Sequence, residues 1–169
     1  MKNKMKKLLS QQGSTLVELL MYMGIFSLLL VSLFQILTSV LASQAATQGT
    51  SHVEEDGKFL LARLSYDIQR AQTIVIPATI GSSGNSLKLT ISGVTYSYSL
   101  NNSNLVLTNN TETNALLNGY DTTVSNLTFS RLGNTNGKPV ITTSFTVTSK
   151  TPQQSGIETR TFQTIIGTR

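Results

Sequence analysis

Glu18 is where side-chain type and spacing first point to chemistry in this chain. It is the only acidic residue before Glu54, it opens a long apolar run, and Ser14, preceded by Gly13, stands four residues ahead of it. A carboxylate entering a bilayer costs about 2.5–3.5 kcal/mol at mid-membrane on insertion scales, and less near the interface. Such a group calls for a partner. A cut between Gly13 and Ser14 would create an α-ammonium four residues before Glu18. That amine could neutralise the carboxylate of a neighbouring subunit in a low-dielectric setting, or that of its own chain at i and i+4. The competing reading is an interfacial glutamate snorkelling to water from an uncut anchor.

Other chemistry is hard to assemble from these residues. The chain has no Cys, so disulfides, thiolate catalysis and thiolate metal sites are excluded. With His52 as the single histidine, the usual nucleophile–base dyads fail, and it reads as surface. Glu112, Asp121 and Glu158 are too scattered for a calcium site. The stretch "GSSGNS" lacks the lysine and the strand-to-helix setting of a phosphate loop. Asn101, Asn109 and Asn126 fall in N-x-Ser/Thr sequons, matches that an Asn/Thr-rich chain produces by chance. The expectation is a non-enzyme without cofactor or metal.

Charge tells the same story. Of thirteen basic residues, Lys2, Lys4, Lys6 and Lys7 lie before position 8. The remaining nine face eight acids, so the body is nearly neutral and shows no basic stripe for nucleic acid.

The elements that must position Glu18 follow. Leu19 to Leu41 is an uncharged, mostly apolar run of 23 residues. As a helix it spans roughly 34 Å, enough for a hydrocarbon core of about 30 Å. The lysines precede it and the first charges after it are Glu54, Glu55 and Asp56, so the N-terminus reads as cytosolic and the rest as exported. Gly24, Ser27, Ser32, Gln35, Thr38 and Ser39 fall within roughly 140° of one another at helical spacing. That stripe marks either a helix-packing face or hydroxyls tolerated by bonding their own backbone. A cleaved secretory signal is the competitor, with Val40-Leu41-Ala42 or Ser43-Gln44-Ala45 as its site. The run, however, exceeds the usual apolar core of about 7–15 residues.

Beyond Leu41 polarity rises, with Gly49 a weak point in a continuing helix. Val53, Gly57, Leu60 or Leu61, Leu64, Ile68 and Ala71 share a face, and Pro77 sets a stop. The period then changes to two. Leu87, Leu89 and Ile91 alternate with polar residues, as do Val94, Tyr96, Tyr98 and Leu100. Ser92-Gly93 and Asn101 to Asn104 read as hairpin turns. Leu105–Thr108, Leu127–Ser130, Ile141–Thr148 and Arg160–Ile166 continue as strands. The expected fold is α+β: a long N-terminal helix, part membrane and part amphipathic, packed on an antiparallel meander with one solvated face. The expected divisions are a basic leader (1–13), a transmembrane helix (14–41), an amphipathic continuation (42–76) and a β domain (77–169).

The stretch "KKLLSQQGSTLVELL" resembles the leader and cleavage site of type IV prepilins and type II secretion pseudopilins. Gly13 matches the cleavage glycine, Ser14 the new and N-methylated terminus, and Glu18 the fifth-position glutamate. Ser14 stands where an aromatic is most common. The apolar run lacks the proline carried by many main-filament subunits. More loosely, "LLARLSYDIQRAQTIVIP", the Ser/Thr-rich strands and "ETRTFQTIIGTR" resemble J-type pseudopilins and W-type minor pilins. The resemblance implies a pilin-like fold and removal of residues 1–13 by a prepilin peptidase. It also implies assembly with other pilins or pseudopilins by an ATPase and its platform in the cytoplasmic (inner) membrane. The product would be a cell-surface or periplasmic filament. The alternative is an uncleaved single-pass protein displaying an adhesive or ligand-binding β domain, with an exported hydrolase a distant third.

Overall fold

The computed structural model describes residues 2–134, 137–153 and 156–169, with side chains from Thr15 onward. Helix α1 runs Lys2–Arg70. Two units divide the chain, Met1–Gln44 and Ala45–Arg169. In the first, the large apolar side chains from Leu16 to Leu41 are all exposed. Its most apolar stretch has mean hydropathy 2.3 and is 0% buried, so α1 is long and apolar enough to cross a membrane.

Within the second unit, α1 buries one stripe. Val53, Leu60, Leu64 and Ile68 are fully enclosed and Ala71 nearly so, the face expected from spacing, with Leu60 rather than Leu61 at its centre. Gly57 lies on the same stripe, and a Cβ there would overlap the Phe162 ring. The helix ends before the expected residue 76. Ala71 N donates back to Ile68 O (3.2 Å), and Gln72 N already donates to Thr90 O (2.9 Å). The reason is local: Thr73, Ile74, Val75 and Ile76 are β-branched, and Pro77 drives Ile76 into extended backbone.

Nine strands follow in the described residues: β1 (Thr73–Ile76), β2 (Ser83–Gly84), β3 (Leu87–Ile91), β4 (Val94–Asn101), β5 (Asn104–Thr108), β6 (Ala115–Leu116), β7 (Thr122–Leu132), β8 (Val140–Ser149) and β9 (Thr159–Gly167). They form two sheets, ordered β1-β3-β4-β5-β6 and β2-β7-β8-β9, where the alternation pattern reads as one meander. All pairings between these strands are antiparallel. Both anticipated hairpin turns form. Ser92-Gly93 has φ of 50° and 80°, and Asn102-Ser103 has φ of 48° and 61°, the left-handed pairs that two-residue hairpins require.

Strand β7 carries a bulge between Ser125 and Thr128, with Asn126 at φ 52°. The extra residue keeps Val124, Leu127 and Phe129 all buried across an odd spacing. Leu87, Leu89, Ile91, Tyr98, Leu105 and Leu107 from one sheet and Phe129, Ile141, Phe145 and Val147 from the other join the helix stripe in one core. Each such fully buried side chain contributes about 1.5–3 kcal/mol.

Candidate functional site

Glu18 lies on the exposed apolar stretch of α1. Its Oε1 accepts a hydrogen bond from the Tyr22 hydroxyl at 2.9 Å. Sequence reasoning passed over Tyr22, although i and i+4 spacing places a phenol within reach of a carboxylate one turn earlier. Tyr suits the edge of a membrane, because its ring is apolar and its hydroxyl still seeks a polar partner. Gly13 and Ser14 lie outside the described side chains.

Further along, three of the four hydroxyls of the polar stripe turn back on their own helix. Ser27 donates to Gly24 O (2.8 Å), Ser32 to Leu28 O (3.1 Å) and Thr38 to Gln35 O (2.9 Å). Of the two readings of this stripe, these bonds account for those three hydroxyls without a second helix.

The second unit holds three polar clusters where carboxylates of α1 meet the strands or their loops. Asp67, 2% exposed, accepts from the Tyr98 hydroxyl and from Arg63 Nε at 2.9 Å. Burial, followed by the hydrogen bond to the Asp67 carboxylate, pushes the Tyr98 hydroxyl well above the ordinary phenol range. Burial works to lower Arg63, but the Tyr98 hydroxyl and the Asp67 charge outweigh it and hold the guanidinium above its usual value.

Asp56 accepts from Gly119 N at 2.9 Å and from the Thr122 hydroxyl. Glu54 pairs with Lys58 (2.5 Å) and with Arg160, whose Nε reaches Glu158 at 2.9 Å. The Lys58 hydrogen bond and charge, with Arg160 adding to them, hold Glu54 below the usual carboxylate range. The hydrogen bond to Glu158 and the Glu54 charge raise Arg160. Each cluster clips α1 to a strand or its loop, and none aligns a nucleophile with a base.

The remaining sequence candidates stay apart. His52 is half-buried on α1. Asn109 Oδ1 closes a turn by accepting from Thr111 N (2.8 Å) and Glu112 N (2.7 Å). Asn101 ends β4 and Asn126 sits in the β7 bulge. Among the described residues no group of three or more His, Cys, Asp or Glu converges as a metal site would require.

Compared with protein-family models, with curated proteins and with solved structures, the chain gives no match. The fold itself, one long N-terminal helix packed against antiparallel sheets, is α+β and pilin-like in architecture.

Proposed function

We propose that the chain is a minor pilin or pseudopilin, a structural subunit of a type IV filament machine such as a pilus, a type II secretion pseudopilus or a DNA-uptake filament. One observation carries the reading. A fully exposed helix of membrane length bears a single carboxylate, Glu18, near its start, and continues into a helix that anchors a β domain.

In this reading Gly13 directs a prepilin peptidase to the bond before Ser14, and the freed amine becomes the partner of Glu18. Until a neighbour arrives, the Tyr22 hydroxyl satisfies one carboxylate oxygen. Exchanging that neutral donor for an ammonium in a dry bundle converts a burial cost into an attraction. An assembly ATPase with its membrane platform and fellow pilins are the other partners. The chain starts as a single-pass protein of the cytoplasmic membrane with its β domain exported. It then moves into the filament.

The test is the N-terminal residue and intact mass of protein taken from the membrane fraction. A chain beginning at Ser14, with or without an added methyl, supports the proposal. One beginning at Met1 makes it an uncut anchor, and one beginning near Ala45 or Ala46 makes it a secreted protein. Either of the latter two sinks it.

A further inference from the structure

Asn118-Gly119 is one of two Asn-Gly pairs in the chain, the other being Asn136-Gly137. Such pairs are chemically labile, because a residue without Cβ leaves its amide nitrogen unhindered beside the asparagine side chain. Here both reacting groups are occupied. Asn118 is 7% exposed; its Oδ1 accepts from Leu105 N at 2.9 Å. Its Nδ2 donates to Asn104 Oδ1 (3.0 Å), Gly119 O (3.2 Å) and Thr122 O (3.1 Å). The Gly119 N–H is spent on Asp56 Oδ2 at 2.9 Å, and the Thr122 hydroxyl donates to the same oxygen. A Cβ at Gly119 would stand 3.0 Å from that oxygen, so the contact favours the same glycine that makes the pair labile.

We propose that Asn118-Gly119 is a self-modification site that the Asp56 contact holds shut, and that conversion of Asn118 is a one-way record of helix α1 parting from this loop. On opening, the Gly119 nitrogen bonds to Asn118 Cγ and the Cγ–Nδ2 bond breaks. The amide proton of Gly119 leaves with Nδ2 as ammonia, giving a cyclic imide. Water then opens the ring to aspartate or isoaspartate.

The product does not fit back. Where Nδ2 donated to three oxygens, the new carboxylate places an acceptor against Asn104 Oδ1, Gly119 O and Thr122 O. Asn118 also anchors Leu105 N, in the strand that pairs with β4. Closure is thereby lost along with the amide.

The inference stands apart from the filament reading and is tested on the full chain in detergent. Amide-to-acid conversion and isoaspartate at Asn118 are followed by peptide mass mapping in warm, mildly alkaline buffer. A short synthetic peptide carrying Leu117-Asn118-Gly119-Tyr120, kept in the same buffers, corrects for time and solvent. Native wild type is expected to convert about tenfold or more slowly than the urea-unfolded chain, since only the locally opened fraction reacts. Asp56→Ala, folded by near-UV circular dichroism, is expected to recover most of that factor. Tyr98→Phe loosens the same fold elsewhere and should leave the Asn118 rate near wild type. Native wild type reacting as fast as the unfolded chain, or Asp56→Ala reacting no faster than wild type, overturns the proposal. So does equal acceleration by Tyr98→Phe, which would assign the reaction to global unfolding.

Discussion

Replacing Tyr98 by Phe removes one oxygen from the centre of the second unit and leaves its shape intact. Tyr98 is fully buried, and its hydroxyl donates to Asp67, which is 2% exposed. A hydrogen bond to a charged acceptor contributes about 1.5–3 kcal/mol net. Asp67 keeps Arg63 at 2.9 Å, so the variant leaves the carboxylate with one partner rather than none. The lower half of that range applies, about 2 kcal/mol. For a unit of this size that is a fall of about 6–10 °C in Tm.

A second signature follows from titration. The folded environment raises the Tyr98 hydroxyl above its value in the unfolded chain, near 10.0. Below that pH both states hold the proton and the stabilisation is fully present. Above it the unfolded chain releases a proton that the folded one keeps. Stability then falls by about 1.4 kcal/mol per pH unit until the folded hydroxyl ionises as well. The other tyrosines are shared by wild type and variant and drop out of the difference. Urea titrations of the full-length protein in detergent, read by near-UV circular dichroism, measure both effects. The advantage of wild type over Tyr98→Phe should be constant from neutral pH to about pH 9 and shrink above pH 10. Tyr120→Phe is the control, since Tyr120 is 91% exposed. Equal midpoints for wild type and Tyr98→Phe, or an advantage undiminished at high pH, would refute the assigned hydrogen bond.

Gly57→Ala should destabilise by about 1–3 kcal/mol through overpacking against Phe162, reversing the gain of about 1 kcal/mol that alanine brings to an ordinary helix interior. Combining it with Phe162→Ala should restore the usual preference; additive losses in the double variant would place the strain elsewhere. Glu18→Ala should be processed normally yet enter filaments poorly, by quantitative immunoblotting of sheared filaments, and equal incorporation would remove the assembly role. Gly13→Leu should retain the leader, and a wild-type mass and N-terminus would discount the cleavage site.

Much of the local structure was legible because its causes are local. Ser92-Gly93 and Asn102-Ser103 carry residues that tolerate left-handed backbone, and the strands beside them pair in the register those turns impose. The helix stripe from Val53 to Ala71 follows from a 3.6-residue period alone. Strand β1 was hidden by its nearness to the helix, and β2 and β6 are two residues long, below any detectable periodicity. The division into two sheets was illegible for another reason. Alternation says which side chains share a face but not which strand lies alongside, and β2 joins β7 across 47 residues between Ser83 and Ser130. The β7 bulge conceals its own alternation by shifting Leu127 inward out of phase.

The polar contacts were the least legible, and they separate the carboxylates of α1 into kinds. Glu54 reaches Arg160, Asp56 reaches Thr122 and Asp67 reaches Tyr98, across 106, 66 and 31 residues. Nothing in local sequence distinguishes these acids from ordinary helix surface: Lys58 and Arg63 pair with Glu54 and Asp67 at the spacing of any helix, and the long-range partners exist only once the strands have been laid down. Their work is done inside the folded unit. Glu18 differs: its partner among the described residues is Tyr22, one turn away on the same helix and as exposed as itself. A carboxylate that the fold does not use, on a surface that water does not favour, is the one most in need of a partner from another molecule. That contrast, more than the motif around Gly13, is why the proposed assembly role rests on Glu18.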